Sequence, residues 1–495
     1  MRSLKSPRVT RRALLTGTFA VLAEHALAAE ASLGSQSWID HARVRAASGS
    51  GRLRLLIPVG SDANITPIVS AYTELTGVAI DIQTVAVREV GTTLLTSRMM
   101  SNQRYDIVLP ATYELPELVA ARAIRPMDTI ARIDGTGRDD DGALFSHGND
   151  FNGHSYGRQT DGDVFLMFLN KAILKDHRLT DGYAGRYGTP FSVPSSWEEL
   201  DRQIAFVHLN NGHPGAVLFR DRGQIEWEFW LRLHAKGVWP LSSEFDPQFD
   251  GDAGRDALSD MINVSPHIEQ SRHNKSSFLA GWKAFTESGA YATFGWGGTQ
   301  KIFRHGGLDP GQQFLAAPVP GGLGAGTPDT LPYFNWGWSY AVTEGTPHPD
   351  LALSFVEYAR SAEVSTRAIR ERSGFFDPFR VEHYSDPVIG EIYGSSFLKV
   401  HRASLSNAIP DFYVANRNAY FDTLSAWLTL AIEGEVDPRT ALSKAADHWR
   451  LLTSKQQKPR QAARWRQLRS SYPFAVSQKL RDTSDQPSAE EHADD

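Results

Sequence analysis

The feature of this sequence that most constrains its fold is a run of six apolar residues, Val164–Leu169, closed by Asn170 and Lys171. An uninterrupted apolar run of this length predicts a strand buried on both faces, with a short buried helix as the alternative. Two carboxylates, Asp161 and Asp163, flank a glycine directly before the run. Because a buried carboxylate needs a partner, we expect both to lie where the strand emerges, near water or near a ligand.

Strand and helix patterns alternate through the first part of the chain. The pattern predicts strands at Leu53–Val59, 78–82 and Tyr105–Leu109, and helices from Thr66 to Gly77, over 88–100 and over 114–123. Proline in the first turn and glycine after the last are the expected boundaries of a helix. Strands that alternate with helices predict a parallel, doubly wound sheet. Further along, Ser196–Glu199 has the pattern of a capping box and predicts the start of another helix.

The composition is that of an ordinary globular protein, with 41% hydrophobic and 22% charged residues. A chain of 495 residues predicts two to four domains. The lack of cysteine excludes disulfides, thiolate metal sites and cysteine nucleophiles. The formal net charge of −6 falls to about −10 without the basic first 28 residues, which argues against binding to nucleic acid or to an anionic membrane surface.

Residues 1–28 contain a basic region, an apolar region and a small-residue region, in the order that is typical of an export signal. A twin arginine at 11–12 precedes an apolar stretch that ends at Ala28, and the pair resembles a twin-arginine signal peptide. The stretch is too short to span a bilayer and is interrupted by Glu24. We therefore expect a soluble protein that is exported to the periplasm and not embedded in a membrane, with residues 29–50 as a linker after the signal.

No cofactor or metal motif is complete in this sequence. Residues Asp139–Gly142 suggest a calcium loop, but the first ligand position of that pattern falls on Gly137. His147 and His154 are potential metal ligands, although a solvated loop is the plainer interpretation of the segment that carries them. The glycine-rich segment 321–326 lacks the Lys-Ser/Thr of a nucleotide-binding loop. We therefore predict no cofactor and no metal site.

Several short motifs follow one another in a characteristic order between residues 53 and 452. They are Ala71–Gly77, Tyr105–Val108, Leu118–Asp128, Asp163–Lys171, Pro194–Leu200, Gly337–Val342, and Glu433–Leu442 with Trp449. Their order resembles that of the extracellular solute-binding proteins of ABC importers, especially the carbohydrate-binding, maltose-binding-protein-like branch. Leu169 stands where that family often has a tyrosine, and Trp336 stands in place of a glycine. No single motif is specific, so the resemblance depends on the ordered set.

The resemblance implies an α/β, two-lobe periplasmic-binding-protein fold (type II), each lobe a doubly wound sheet, with crossing strands as the hinge. Lobe 1 would comprise 51–163 and 325–372, and lobe 2 would comprise 164–324 and 373–454. The family pattern does not require the C-terminal extension, 455–495. Its composition predicts a basic surface helix over 455–482 and a disordered acidic end at 483–495. The family binds its ligand in a cleft between lobes that close over it, and its partner is the membrane permease of an ABC transporter.

Side chains suited to a sugar lie at the predicted strand ends and crossings. Sugars and polyols expose hydroxyls and flat C–H faces, so their sites combine hydrogen-bonding groups with aromatic rings. Together with the resemblance, this favours a ligand site formed by Asp62, Thr112, Tyr113, Asp163, Trp296, Trp336, Trp338, Arg380 and Phe421. The alternatives are that the tryptophans pack in the hinge or core, that Asp62 caps a helix, and that Thr112 and Tyr113 are solvated. Trp227 and Trp230, three apart on a helix, favour one buried face.

Three functions are compared on these grounds. The first is a periplasmic protein that captures a small neutral carbohydrate or polyol for an ABC importer and performs no chemistry. The second is a periplasmic enzyme, similar to a glycan hydrolase, that uses Asp161 and Asp163 as paired carboxylates. Acid–base catalysis needs two carboxylates at a set separation, and residues two apart in a turn do not define one. A metal-binding relative would need a cluster of tyrosines or histidines that is not evident, so the first function is favoured.

Overall fold

The computed structural model describes residues 36–49, 51–100, 105–130, 142–269, 278–305, 307–308, 310–322, 330–455 and 457–482. The predicted signal peptide at 1–28 and the predicted disordered end at 483–495 lie outside these residues, and so does most of the rejected calcium loop at Asp139–Gly142. In the described part of the chain, no helix has the length and hydropathy needed to cross a membrane.

The described chain alternates short strands with helices. The strands are β1 (Arg52–Pro58), β2 (Ala79–Val85), β3 (Ile107–Val108), β4 (Asp150–Phe151), β5 (His154–Ser155), β6 (Arg158–Gln159), β7 (Val164–Asn170), β8 (Ala216–Val217), β9 (Ala292–Gly295), β10 (Phe314–Pro318), β11 (Tyr333–Phe334), β12 (Ser339–Val342) and β13 (Ile409–Pro410). The helices are α1 (36–47), α2 (Asp62–Thr76), α3 (Val90–Met99), α4 (Leu115–Ala120), α5 (Lys171–Leu174), α6 (His177–Tyr187), α7 (Trp197–Asn211), α8 (Ile225–Ala235), α9 (Asp252–Val264), α10 (Phe278–Ser288), α11 (Gly297–His305), α12 (Pro310–Gln313), α13 (Pro349–Arg360), α14 (Ala362–Ile369), α15 (Pro387–Tyr393), α16 (Ser395–Ser406), α17 (Arg417–Ile432), α18 (Pro438–Ser454), α19 (Lys458–Ser470) and α20 (Phe474–Ser477).

The strands form two main sheets, one for each lobe. The first sheet has the order β2-β1-β3-β12-β6, and β1 runs parallel to both β2 and β3. The second has the order β13-β11-β7-β9-β8, with β10 also paired to β7. Helices pack against both sheets, which confirms the predicted α/β class. Both sheets are mixed: β12 runs antiparallel to β3 and β6 in the first, and β9, β10 and β11 run antiparallel to β7 in the second. The predicted parallel arrangement is therefore found among β1, β2 and β3, and the later strands depart from it.

Strand β7 is the predicted buried strand and the centre of the second lobe. Its first six side chains, Val164–Leu169, are all buried. Its two edges pair with β11, β9 and β10. Its two faces are covered by other elements, since Phe168 packs on Phe397 of α16 and Phe165 packs on Trp227 of α8. The alternative of a short buried helix is excluded.

Helix ends follow the local sequence signals, with one shift. Helix α2 begins at Asp62, before the predicted start at Thr66, and ends at Gly77, whose φ of 78° is the left-handed geometry that glycine adopts without strain. In α7, the Ser196 hydroxyl accepts the N–H of Glu199, and the Glu199 carboxylate accepts the N–H of Ser195. The capping interaction predicted for this helix is therefore present.

The chain passes between the sheets three times. It leaves the first sheet after β6 and enters the second at β7, so that residues 160–163 form the first crossing. It returns between β11 and β12 through residues 335–338, the second crossing. This return lies later than the predicted lobe boundary at 325, because β11 still pairs with β7. The third crossing, 370–380, leads from α14, which packs on α2, to α15 and α16 on the second lobe.

Both segments outside the predicted lobes contribute to the core. Residues 36–47 form helix α1 and bury Trp38, Ile39 and Ala42, so the predicted linker at 29–50 is wrong for this stretch. Helix α19 of the C-terminal extension is anchored in the second lobe by Trp465, which is fully buried and donates its indole N–H to the carbonyl of Leu241. Residues 457–482 of the extension are therefore part of the folded lobe and do not merely lie on its surface.

We expect Trp465→Ala to lower the free energy of unfolding by about 3–5 kcal/mol, because it removes a fully buried indole. Urea unfolding followed by circular dichroism measures this loss. Arg460→Ala on the exposed side of the same helix is the matched control and should change stability little. Equal stability of both variants would show that α19 does not contribute to the folded core.

Candidate ligand-binding cleft

Trp336, in the second crossing, lies where the two lobes meet. Its ring packs edge-on against Tyr113 of the first lobe, with the ring centroids 5.3 Å apart. It also packs edge-on against Trp227 of α8 in the second lobe, at 5.9 Å. Trp336 is 4% exposed, so a residue of the hinge is enclosed by aromatic rings from both lobes.

Trp296 extends this aromatic cluster into the second lobe. It follows β9, and its ring lies 6.1 Å from Trp336 and 5.9 Å from Trp227. Its indole N–H donates to Oδ1 of Asn335 at 2.8 Å, which fixes the ring relative to the second crossing. The rings of Tyr113, Trp227, Trp296 and Trp336 are hereafter called the cleft cluster. The structure thus brings together three of the predicted site residues and adds Trp227, which the sequence assigned to a buried helix face.

Arg88 covers the cleft cluster from the first lobe. Its guanidinium lies 5.1 Å from the Trp336 ring centroid, within the range of a cation–π interaction. It also donates to the carbonyl of Gly223, in the second-lobe loop before α8, at 3.3 Å. A second bond between the lobes joins the N–H of Asn416 to the carboxylate of Glu117 at 2.7 Å. These contacts hold the lobes together around the cluster.

Glu226 is a buried acid of the second lobe close to this region. It precedes Trp227 on α8 and is 1% exposed, and its Oε2 has no hydrogen-bond partner among the described residues. Burial raises the pKa of its carboxyl to about 7, although the positive charges of Arg417 and Arg88 oppose the shift. A buried carboxyl oxygen without a partner is costly in a folded protein. It is therefore a candidate hydrogen-bond acceptor for a ligand hydroxyl.

Arg417 lies on the same side of the cleft. Its guanidinium is paired with Asp411 at 2.6 Å and lies 4.5 Å from the Tyr113 ring and 4.4 Å from the Phe421 ring. Phe421 itself packs on Trp230 in the second-lobe core. Arg417 thus connects an aromatic side chain of the first lobe with the core of the second.

Thr112 and Glu114 hold the loop that carries Tyr113. The N–H of Thr112 donates to the carbonyl of Gly337 at 3.0 Å, so the loop is tied to the second crossing. Glu114 accepts the N–H groups of Ala111 and Gly91, and burial raises the pKa of its carboxyl to about 7. These bonds position Tyr113 toward Trp336.

Asp163 belongs to a separate cluster of three buried carboxyls at the hinge. Asp161 and Asp163 come from the first crossing and Asp377 from the third, and one oxygen of each lies within 4.8 Å of the others. Burial and the neighbouring carboxyls raise the pKa of Asp161 and of Asp163 well above the usual range. Lys301 of α11 is the nearby positive charge, and its ammonium donates to three backbone carbonyls of the third crossing, including that of Phe376 at 2.7 Å.

The remaining predicted residues have other surroundings. Asp62 is exposed and accepts the N–H of Gly60, as expected for the start of α2. Trp338 is 2% exposed and packs on Phe375 and Trp336. Arg380 pairs with Glu382, beside the loop at Gly142. For these residues, ligand contact stays a prediction.

Sequence reasoning missed Arg88, Glu226 and Arg417. Arg88 follows the end of β2, so the rule that ligands bind beyond the carboxyl ends of strands in open α/β sheets would have marked it. Glu226 lies in α8, a helix whose side chains are all buried. An acidic residue between apolar neighbours could have marked it as a candidate site residue. Arg417 carries no comparable signal, because its position beside Tyr113 depends on how the lobes meet.

The sequence profile of the family described as bacterial extracellular solute-binding protein matches residues 68–388. The chain belongs to this family. Its members are solute-binding proteins of ABC transporters, and they bind and deliver substrates and are not enzymes. No curated protein matches this chain.

Solved structures show the same fold. The GacH receptor of Streptomyces glaucescens, determined with and without acarbose, has a TM-score of 0.64 at 19% identity, covering 81% of this chain and 98% of its own. A solute-binding protein of Agrobacterium radiobacter in complex with ribitol has a TM-score of 0.66 at 15% identity, covering 81% and 98%. One of Agrobacterium vitis with bound D-mannitol has a TM-score of 0.64 at 14% identity, covering 82% and 98%. The fold is the type II periplasmic binding protein fold.

We expect the stability of this protein to fall as the pH rises from about 4.5 to about 7, in part because of Glu226. Its carboxyl has a higher pKa in the folded chain than in the unfolded chain, so the folded state binds the proton more tightly and loses that advantage on ionisation. Glu226→Gln mimics the protonated acid and should raise the free energy of unfolding at pH 8 by about 1–3 kcal/mol. At pH 4 the two proteins should be equally stable.

Urea unfolding of the wild-type protein and of Glu226→Gln at pH 4 and pH 8 measures the difference. The exposed Glu435→Gln serves as the control and should keep the wild-type pH profile. A Glu226→Gln profile that matches the wild type at both pH values would place Glu226 in a solvated setting and contradict this prediction.

Proposed function

We propose that this protein captures a small neutral carbohydrate or polyol in the cleft between its lobes, for delivery to the permease of an ABC importer. The observation that carries the proposal is the position of Trp336, a hinge residue packed between Tyr113 of one lobe and Trp227 of the other. A flat ring at this place is suited to the C–H face of a sugar. The proteins of similar fold from Agrobacterium hold ribitol and D-mannitol.

The polar groups around the cleft cluster complete a site of this kind. Glu226 offers a buried carboxyl oxygen that no described residue hydrogen-bonds, and Arg88 reaches the cluster from the opposite lobe. Sugar sites need hydrogen-bonding groups at fixed positions beside the rings. Asp62, Trp338, Arg380 and Phe421 are proposed as its outer members, and Thr112 as the residue that positions Tyr113.

Ligand entry requires the lobes to part. The rings of the cleft cluster contact each other directly, so a ligand must replace ring–ring contacts with ring–ligand contacts. The bonds between Arg88 and Gly223 and between Asn416 and Glu117 would break on opening and reform on closure. Each bond involves one charged group and contributes about 1.5–3 kcal/mol at most, which is small enough for reversible closure over a ligand.

A hydrolase using Asp161 and Asp163 is disfavoured by burial. The Asp161 side chain is fully buried, and its Oδ1 accepts the N–H groups of Gly162 and Asp377. A general acid or base must reach the proton that it transfers, and Asp161 has no exposed surface through which to do so. We therefore propose that the protein binds its ligand without changing it chemically. Binding would take place in the periplasm, after export directed by the signal predicted at residues 1–28.

Isothermal titration of the purified protein with D-mannitol, ribitol and maltose tests the proposal, and we expect saturable binding of at least one of them without turnover. Trp336→Ala should weaken that binding by about 1–3 kcal/mol, the value of one buried aromatic contact. Trp427→Ala is the control: this half-buried tryptophan of α17 contacts His448, and its loss should leave affinity unchanged.

Three outcomes would contradict the proposal. The first is a lack of saturable binding for every sugar and polyol tried. The second is an equal loss of affinity in Trp336→Ala and Trp427→Ala. The third is formation of a product that disappears in Asp163→Asn, which would favour the hydrolase.

A further inference from the structure

The three carboxyls at the hinge have the geometry of a cation site. One oxygen each of Asp161, Asp163 and Asp377 lies within 4.8 Å of the other two. Calcium binds oxygen at 2.3–2.6 Å, so two oxygens on one ion can be at most about 5 Å apart. All three distances fall within this limit, as the binding of one ion by all three carboxyls requires.

The Asp161 and Asp377 side chains are held in place by hydrogen bonds from the surrounding protein, and a carboxylate oxygen that accepts one such bond keeps a lone pair for a further ligand. Oδ1 of Asp161 accepts the N–H of Gly162 at 2.7 Å and that of Asp377 at 2.6 Å. Asp377 accepts the Tyr393 hydroxyl on Oδ1 and the N–H of Gly298 on Oδ2, both at 2.8 Å. A Cβ at Gly297 would lie 2.5 Å from the Asp377 carboxyl, so a glycine is required for this close seating.

A second observation points to a ligand. Oδ2 of Asp161 has no hydrogen-bond partner among the described residues, although the side chain is fully buried. The Asp161 carboxyl lies against that of Asp163, which can donate only when it is protonated. A buried carboxyl oxygen without a donor is costly, and a bound cation would remove this cost.

The net charge of the cluster and its surroundings also favours the binding of a divalent ion. Three ionised carboxyls carry three negative charges, and Lys301 supplies one positive charge nearby. Its ammonium already donates to the carbonyls of Glu371, Gly374 and Phe376. The two negative charges that remain uncompensated would be balanced by one divalent cation. Ligands made only of oxygen select a hard ion such as Ca²⁺ or Mg²⁺.

We propose that Asp161, Asp163 and Asp377 bind a calcium ion that joins the first and third crossings at the hinge. Calcium is favoured over magnesium because Mg²⁺ keeps several waters and uses one or two carboxylates, whereas this site offers three in a nearly dry setting. An ion would enter from the side of the site where Asp163 lies, because Asp163 is 9% exposed whereas Asp161 and Asp377 are fully buried.

The ion would act on the hinge and not on the sugar. Its ligands come from two of the three crossings, and Gly298 links Asp377 to the start of α11 in the second lobe. Binding would therefore stabilise the folded protein and restrict the relative movement of the crossings. This inference is independent of the proposed sugar, and its test is carried out without one.

The test uses the full-length protein after dialysis against EDTA, in the absence of any sugar. Thermal unfolding is followed with increasing CaCl₂ and, separately, MgCl₂, and native mass spectrometry counts the bound ions. We expect saturable stabilisation by CaCl₂, one calcium per chain, and at least tenfold weaker binding of Mg²⁺. Stabilisation by a ligand that binds only the folded state rises with its concentration in this way.

Variants locate the ion. Asp163→Asn should weaken calcium binding at least tenfold, and Asp161→Asn provides a second test if the first variant does not fold. Asp350→Asn is the matched control: this carboxylate pairs with His41 and Arg45, and its loss should leave calcium binding unchanged.

The proposal is overturned if calcium neither stabilises the protein nor appears in its native mass. It is also overturned if the calcium response is the same in Asp163→Asn as in the wild type. If stability does not respond to calcium, and if its fall with rising pH is smaller in Asp163→Asn than in the wild type, the three carboxyls share protons and hold no ion.

Discussion

The bond from the N–H of Asp377 to Oδ1 of Asp161, at 2.6 Å, ties the third crossing to the first. The two lobes are connected by three such segments, and their relative orientation is set where the segments meet. Burial at that point excludes water, so every polar group there needs a partner within the protein or a bound ion. The carboxyls of Asp163 and Asp377 are subject to the same constraint, because they lie beside Asp161 in the space that the crossings enclose.

The cleft cluster lies on the second crossing and depends on this hinge. Trp336 can contact Tyr113 and Trp227 together only because its backbone runs between the two sheets. Aromatic rings can pack on one another or on the face of a sugar with comparable area. The same side chains are thus suited to close the lobes when they are empty and to hold a ligand between them. The buried Oε2 of Glu226 has no hydrogen-bond partner among the described residues, which is why this oxygen is proposed to accept a ligand hydroxyl.

Much of the fold was predictable. The apolar run at Val164–Leu169 became a strand buried on both faces, and the glycine at 77 ends α2. Lobe boundaries were less accurate, since the pairing of β11 with β7 extends the second lobe to Phe334. The helix at 36–47 was missed because it was grouped with the small and polar residues around it, although Trp38, Ile39 and Ala42 recur at helical spacing and are buried.

The sequence by itself determined the elements and their order, because apolar periodicity, capping residues and glycine at helix ends act within a few residues. It also placed Tyr113, Trp296 and Trp336 among the candidate site residues. Only the tertiary structure decided that Trp227 joins them, that Asp163 turns toward Asp377, and that Arg417 reaches Tyr113. These contacts join residues far apart in the chain, and they depend on how two lobes meet, which no local pattern encodes.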